Sequence, residues 1–456
     1  MRSNMAKTLL ILNYSLLIIL TSCSVNKQIS KQANTILLKD SSIATGHIGI
    51  SIYEPATGKY WYSYNDTHYF IPASNTKLFT LYAGMKYLGD SLVAARVSVD
   101  NNGYFILPAA DPSFLNSEFK NQPLYNYINS LPEKSYIGIV NNFWKEQPLG
   151  NGWAWNDYSE SYMAERSMMP IYANLIKFEF LNDTLKSIPY RLMDIGISKD
   201  FKADEWSRFE FRLKNKLPEK FSIERRLGTD FYEFTKAVKK FSGIEIPFKT
   251  EQSIVQEFLR DTLKKVSINF IGLISGISDL KFKIIHSQPT DSLFKPMMHR
   301  SDNFFAEQTL LMASNEHLGY MNDEKIIDTL LRSDLKDVPQ KPKWVDGSGL
   351  SRYNLFTPKD FVYILNKMKN EFGLERMKVI LATGGEGTLS SYFKKDAGSI
   401  YAKTGTLSNN CALSGYMITN KGKLLVFSLL ANNYITGATP IRRAVEKFLE
   451  QVKEKY

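Results

Sequence analysis

Pro72-Ala73-Ser74-Asn75-Thr76-Lys77 runs directly into Leu78-Phe79-Thr80-Leu81-Tyr82-Ala83-Gly84-Met85, an apolar stretch that reads as the start of a helix. A serine and a lysine three residues apart share one helix face, within mutual reach. That arrangement lets an amine take the proton of a hydroxyl nucleophile, the pairing that covalent catalysis needs. Spacing alone decides little, because Ser24/Lys27, Ser117/Lys120, Ser278/Lys281, Ser292/Lys295, Ser333/Lys336 and Ser391/Lys394 share it. The surroundings of Ser74 must single it out.

Just upstream, Ile48, Ile50 and Ile52 alternate with smaller or polar residues, the period of a half-buried strand. Pro55-Ala56-Thr57-Gly58 is turn chemistry, and Tyr60-Trp61-Tyr62-Ser63-Tyr64 reads as the returning strand. A hairpin followed by the serine-bearing helix implies a sheet with a helix laid against it.

The chain is 456 residues long, which favours two or three domains. With 44% hydrophobic and 23% charged residues its composition is that of an ordinary globular protein. The formal charge of +11 is spread without a dense basic block, which argues against nucleic acid as a partner. A mildly basic surface suits an anionic polymer or an anionic membrane face.

Arg2 and Lys7 precede the apolar runs Leu9-Leu10-Ile11-Leu12 and Leu16-Leu17-Ile18-Ile19-Leu20, so residues 1–22 read as a secretory signal peptide. It ends in Leu20-Thr21-Ser22-Cys23, which resembles a bacterial lipobox. That resemblance implies a lipid anchor on Cys23, with Ser24 favouring release to the outer membrane; the bland alternative is an ordinary leader with an incidental cysteine. Residues 23–45 then serve as a polar tether. Cys411, the other cysteine, lies in an apolar run and reads as a small buried hydrophobe, so no disulfide is expected. The five histidines are scattered, giving no motif for a metal site, a cofactor or a Ser-His-Asp triad.

Residues 93–266 differ in character: aromatic, strand-like runs such as Tyr136–Val140 and Leu175–Phe180 mix with loops. Two spots there stand out, Ala110-Asp111-Pro112-Ser113-Phe114 and Gly150-Asn151-Gly152-Trp153-Ala154-Trp155-Asn156-Asp157. The tryptophans suit either packing or a substrate-contacting loop. From about residue 267 the texture is again α/β. Glycine-rich turns occur at Asp346-Gly347-Ser348-Gly349-Leu350-Ser351 and Gly384-Gly385-Glu386-Gly387-Thr388-Leu389. Leu413–Ile418 and Leu424–Leu430, joined at Asn420-Lys421-Gly422, read as an antiparallel hairpin of the core sheet. Pro440 opens a closing amphipathic helix with Ile441, Val445, Phe448, Leu449 and Val452 on one side.

Three elements occur in order: Ser74-x-x-Lys77, Ser301-Asp302-Asn303 and Lys403-Thr404-Gly405. This set is shared by serine β-lactamases and penicillin-binding proteins. More than two hundred residues separate Ser74 from Ser301, far more than a compact β-lactamase needs. From about Gly46 onward the chain resembles the class C low-molecular-mass penicillin-binding proteins, the penicillin-binding protein 4 type of D-alanyl-D-alanine carboxypeptidase and endopeptidase. Asp346–Ser351, the Trp153–Asp157 loop and Gly387-Thr388-Leu389 carry the more specific part of the resemblance. Ala109-Ala110 stand where that family usually has glycines before its Asp-Pro.

The resemblance implies a mixed α/β transpeptidase-like domain with an antiparallel sheet and flanking helices. This domain, residues 46–92 and 267–456, is interrupted by mostly-β accessory domains at 93–266. It also implies action on peptidoglycan stem peptides through an acyl-enzyme on Ser74, with β-lactams as covalent inhibitors. Lys77 would be the acylation base, while Ser301, helped by Lys403, would relay a proton to the departing D-alanine. Asn303 would hold the substrate amide and steady Lys77. Lys403, Thr404, Gly405 and Thr406 would line the strand that receives the substrate, with the N–H groups of Ser74 and Thr406 as the oxyanion hole. Asp157 would meet the free amine of a diaminopimelate stem. Each has a plainer reading: a solvated lysine at Lys77, a helix cap at Ser301, a turn at Asp157. The rival functions are a β-lactamase or esterase of the same fold, and a catalytically silent wall-binding lipoprotein.

Overall fold

The computed structural model describes residues 25–141, 143–181, 184–189, 222–229, 232–235, 243–265, 267–272 and 281–456. The leader and the lipidation candidate Cys23 lie outside the described residues.

The strand-turn-strand reading upstream of Ser74 is realised as β1 (His47–Glu54) and β2 (Lys59–Tyr64). The insertion supplies β3 (Ser91–Asp100), β4 (Gly103–Pro108), β5 (Ile137–Val140), β6 (Leu175–Leu181), β7 (Thr184–Ile188), β8 (Ser222–Arg225), β9 (Tyr232–Thr235), β10 (Ile244–Pro247), β11 (Ile268–Ile271) and β12 (Lys283–Pro289). The C-terminal part adds β13 (Ala382–Thr383), β14 (Ile400–Leu407), β15 (Asn410–Ile418) and β16 (Leu424–Asn432). These four join β1 and β2 in one antiparallel sheet of order β13-β14-β15-β16-β1-β2. His47 pairs with Asn432 and Tyr53 with Val426, so the two ends of the chain build the sheet together.

Helices are α1 (residues 25–33), α2 (Lys77–Tyr87), α3 (Pro123–Ser130), α4 (Gln252–Leu263), α5 (Thr290–His299), α6 (Asn303–Leu318), α7 (Asp323–Arg332), α8 (Pro358–Phe372), α9 (Leu374–Ile380) and α10 (Ala438–Lys455). Both faces of the sheet are covered, which explains the unbroken apolar run of β16. Leu425, Phe427 and Leu429 face α10, where Ile441, Val445, Phe448 and Leu449 are buried as its spacing predicted. Val426 and Leu430 point the other way, into the cluster of α2, α6 and α8.

The expected tether at 23–45 is corrected by the structure. Residues 25–33 are helical and Asn34–Leu38 continue them as one π-helical turn. Ile29, Ala33 and Leu37 are fully buried in the same cluster as α10, and Tyr456 Oη donates to Gln28 Oε1 at 2.9 Å. Their spacing of four places them on one helix face; the polar residues between them mask that stripe in the sequence.

The insertion also differs in extent. It leaves the part built on β1, β2 and β13–β16 through β3 and returns through β12, which lies antiparallel to β3 with Lys283 opposite Val97. The expected end at 266 therefore falls inside a five-stranded sheet, β11-β5-β4-β3-β12, and the excursion closes at Pro289, where α5 begins. A second sheet, β10-β6-β7, and the pair β8-β9 complete the described part, together with α3 and α4. Asp111 is buried, accepting from Ser113 N and Oγ, both at 2.9 Å. Ala110, in place of a glycine, takes the left-handed φ of 62°. The turn survives the missing glycine, held by Gln308 Nε2 donating to the Ala110 carbonyl at 2.9 Å.

Ile29→Ala and Leu37→Ala should each destabilise the protein by about 2–5 kcal/mol, the usual cost of emptying a buried aliphatic site. Urea midpoints followed by tryptophan fluorescence check this; substitutions without effect would make residues 25–38 a tether after all.

Candidate active site

Ser74 lies on the 3-10 turn Ala73–Thr76, which leads without a break into α2. Ala73 holds a left-handed φ of 47° at the start of this turn, as does Ser301 (67°) one residue before the α6 cap. Such conformations cost roughly 1–3 kcal/mol and persist where surrounding contacts over-determine them. Here those contacts are visible. Asn75 Nδ2 donates to Ser414 Oγ at 2.6 Å, and Ser414 Oγ to Ser428 Oγ at 2.8 Å, tying the turn to β15 and β16.

Two glycines let three segments meet. A side chain on Gly405 would stand 2.6 Å from the Pro72 carbonyl and 3.1 Å from the Ser74 amide. The Lys403-Thr404-Gly405 strand can thus press its backbone against the Ser74 turn. At Gly349, with φ of 80°, an added Cβ would lie 2.0 Å from the Ala73 carbonyl oxygen. The Asp346–Ser351 loop is wedged against the same turn from the other side. Asp346 shapes that loop by accepting from Gly349 N (2.8 Å), Ser351 N (2.7 Å) and Asn354 Nδ2 (2.7 Å).

Lys77 is fully buried, with Nζ 3.1 Å from Ser74 Oγ, 2.7 Å from Asn303 Oδ1 and 2.7 Å from the Ser348 carbonyl. Burial pushes its ammonium down to about 8, against the opposing pull of Asp346, Glu307 and Asp302. Ser333, at the same spacing from Lys336, instead gives its hydroxyl to the Thr329 carbonyl at 2.7 Å. Lys403 is also fully buried; its Nζ donates to Ser301 Oγ at 2.9 Å and to the Thr404 carbonyl at 2.7 Å. Burial pushes it well below the ordinary lysine range, and the charges of Lys77 and Arg442 add to that.

The sequence candidates therefore form two linked groups, Ser74 with Lys77 and Asn303, and Ser301 with Lys403. Ser301 does not cap α6: Asp302 does, accepting from Phe305 N at 2.9 Å. Thr404 Oγ1 donates to Thr388 Oγ1 at 2.7 Å, and Thr406 is exposed at the end of β14. β13 pairs with β14 only at Tyr401 and Ala402, leaving Lys403–Leu407 without a strand on that edge among the described residues. Backbone groups there are available to an added strand. Asp157 stands apart, in the 3-10 turn Trp155–Asp157 of the insertion. It lies beside Tyr162, whose hydroxyl is pushed up to about 12 by burial and then by the Asp157 charge. Tyr162 in turn accepts Asn303 Nδ2 on its carbonyl at 3.1 Å, so Asp157 approaches the centre through one residue. Of the two tryptophans, Trp153 Nε1 donates to Asp346 Oδ2 at 3.0 Å, while Trp155 is 75% exposed.

Several contributors escape a reading by motif. Glu307, one helical turn after Asn303, accepts the Ser348 N–H at 2.7 Å, and burial, reinforced by Asp346, raises its carboxyl to about 8. Arg166 of the insertion lies buried against Asp323, Glu146 (3.1 Å) and Glu307 (3.6 Å), pinning the insertion behind the Lys77 pocket. The only sign of Glu307 in the sequence is a lone acid within the apolar start of α6.

A model of the D-Ala-D-Ala carboxypeptidase 3 (S13) family matches residues 29–453. The chain is 23% identical over 419 residues to a D-alanyl-D-alanine carboxypeptidase, DacB, of Haemophilus influenzae, covering 82% of this chain and 83% of the relative. The crystal structure of penicillin-binding protein 4 from the same organism superposes with a TM-score of 0.70 at 20% identity, covering 93% of this chain and 99% of that one. A predatory peptidoglycan endopeptidase from Bdellovibrio bacteriovorus superposes with a TM-score of 0.51 at 14% identity, covering 90% and 93%. The mixed α/β transpeptidase-like fold with added sheets, expected from the motifs, is that of the first of these structures.

A depressed Lys77 fixes a pH dependence. Its neutral, proton-accepting fraction falls about tenfold per pH unit below about 8 and levels off above it. The second-order rate at which an acylating probe modifies Ser74 should follow that curve between pH 6 and 9; a flat profile would remove Lys77 as the base.

Proposed function

The chain belongs to the D-Ala-D-Ala carboxypeptidase 3 (S13) family of serine-type carboxypeptidases, and from that premise we propose that Ser74 is the nucleophile that cuts D-alanyl bonds of peptidoglycan stem peptides. The observation that carries this is a fully buried amine, Lys77 Nζ, 3.1 Å from Ser74 Oγ and lowered to about 8. An amine that is neutral in a useful fraction at neutral pH, beside a hydroxyl, is an activated nucleophile.

In the proposed reaction Ser74 Oγ gives its proton to Lys77 and bonds to the carbonyl carbon of the penultimate D-alanine. The developing oxyanion faces the N–H groups of Ser74 and Thr406, each such donor being worth about 3–4 kcal/mol in sites of this kind. As the C–N bond breaks, Ser301 passes a proton to the leaving amine and is resupplied by Lys403, 2.9 Å away. Water then attacks the ester, freeing the shortened peptide and restoring the Ser74 hydroxyl. Asn303 holds both Lys77 and the substrate amide, and the open edge of Lys403–Leu407 receives the peptide as an added strand, with Thr404, Gly405 and Thr406 in contact with it. Asp157, on the insertion, would meet the amine of a diamino-acid stem. Release of terminal D-alanine and cutting of D-alanyl cross-links use the same chemistry, and a β-lactam enters as an amide that acylates Ser74.

The test is labelling with a fluorescent penicillin alongside D-alanine release from a pentapeptide. Stable label and D-alanine release, both abolished by Ser74→Ala, are expected. Absence of acylation would overturn the assignment, and rapid loss of label would mark a β-lactamase. We also propose that Cys23 carries a lipid that holds the catalytic part at the cell envelope, facing the periplasm and anchored to the outer membrane. It rests on the Leu20-Thr21-Ser22-Cys23 sequence. Palmitate incorporation in the expressing cell should be lost in Cys23→Ser, and incorporation that persists would refute the anchor.

A further inference from the structure

Helix α1 begins at Val25, two positions after Cys23. Two residues of fully extended chain span at most about 7 Å. Because residues 25–38 are packed on α10 and are no tether, a lipid on Cys23 would hold the first turn of α1 directly at a bilayer surface. The fold then decides which side chains meet that surface.

A groove of about 600 Å³ runs between this segment and α10, lined by Lys31, Thr35 and Asp40 on one side and Arg443, Lys447 and Gln451 on the other. Lys27 stands one turn before Lys31 on the same helix face. The acids nearby are already engaged. Asp40 accepts from Ser42 N at 2.9 Å and Ser42 Oγ at 2.5 Å, and Glu446 pairs with Arg443 at 2.6 Å. Glu450 pairs with Lys395 at 3.0 Å, and Glu454 acts on the same lysine. Nearer the start of α1, Tyr456 donates to Gln28, and Lys421 and Lys455 each place Nζ 5.9 Å from its ring. Lys27, Lys31, Lys421, Lys447 and Lys455 are all exposed and form no ion pair among the described residues. Unmatched ammonium groups on the face that carries the anchor are the complement of an anionic surface. The attraction of such groups for anionic lipid falls off within a Debye length, about 8 Å in physiological salt. The short link from Cys23 keeps the start of α1 inside that range.

We propose that the α1–α10 face docks on the anionic phospholipid headgroups of the membrane that holds Cys23. The lipid supplies attachment, and the lysines supply orientation. The height of Ser74 above the bilayer is then set by the body of the protein, and the D-alanyl bonds within its reach are those of wall strands next to the membrane. The inference rests on the lipid at Cys23 proposed above.

The experiment uses the full mature chain, purified with its lipid and reconstituted in vesicles of phosphatidylglycerol with phosphatidylcholine, or of phosphatidylcholine alone. Exposed lysines are briefly acylated with an amine-reactive reagent and located by mass spectrometry. Lys27, Lys31 and Lys447 should label about fivefold more slowly on the anionic vesicles. Lys120 in the insertion and Lys336 after α7, also exposed, should label equally on both. The difference should vanish at about 1 M salt, where the Debye length is about 3 Å. In the double variant Lys31→Glu, Lys447→Glu, with folding checked by thermal midpoint and D-alanine release, Lys27 should lose its protection. Equal labelling of the three lysines on the two vesicle types, with lipid present on Cys23, would overturn the docking alone. Protection by isolated peptidoglycan in place of anionic vesicles would assign this face to the wall polymer and overturn it as well. A mature chain whose intact mass shows no lipid would remove the anchor and the docking together.

Discussion

Everything at this centre depends on keeping water away from one amine. Lys77 Nζ touches Ser74 Oγ, Asn303 Oδ1 and the Ser348 carbonyl, and these come from three distant parts of the chain. Loss of hydration, more than any single neighbour, lowers this amine. That exclusion needs backbone in contact with backbone, and so glycine at 349 and 405, where a methyl group would strike the Ser74 turn. The charged cluster behind the pocket compensates for this desolvation. Asp346 and Glu307 restrain the fall in Lys77, and Arg166, 3.6 Å from Glu307, opposes the rise of that carboxyl.

The elements around Ser74 were legible because they are local. A hairpin shows itself through alternation and turn residues, and α10 through a one-sided apolar spacing. The three motifs are short, and each sits on the kind of element its chemistry requires. What stayed hidden depends on contacts across long separations. Arg166 and Glu307 look like ordinary surface charges until the fold encloses them. Arg442 cannot be told from Arg443 in sequence, since only its hydrogen bond to Thr406 at the end of β14 separates their surroundings. The helix at residues 25–33 was obscured for a different reason: its buried stripe is narrow, and lysines and glutamines occupy the remaining faces. The insertion boundary was missed because β12 has the texture of the catalytic part, yet its hydrogen bonds go to β3.

The insertion is more than an ornament on a smaller enzyme. Gln308 of α6 bonds to the Ala110 and Ser167 carbonyls, Trp153 reaches Asp346, and Tyr162 takes an Asn303 N–H. Each contact ends on a residue that touches the Lys77 pocket or is one helical turn from such a residue. The accessory sheets therefore fix the geometry of the motif on α6.

The pairing of β1 with β16 carries a consequence for biosynthesis. As the chain leaves the ribosome, β1 and β2 and then Ser74 emerge early, but the partner strand comes some 370 residues after β1 ends. At about 5–20 residues per second this is a wait of tens of seconds. Until β16 exists, the N-terminal hairpin has no sheet to join. Ser74 is thus made almost first, whereas the strand carrying Lys403 and Thr406, which completes its surroundings, is among the final elements translated. A product truncated before β14 keeps Ser74 and Lys77 but lacks the strand that brings Lys403 to Ser301 and Gly405 against the Ser74 turn.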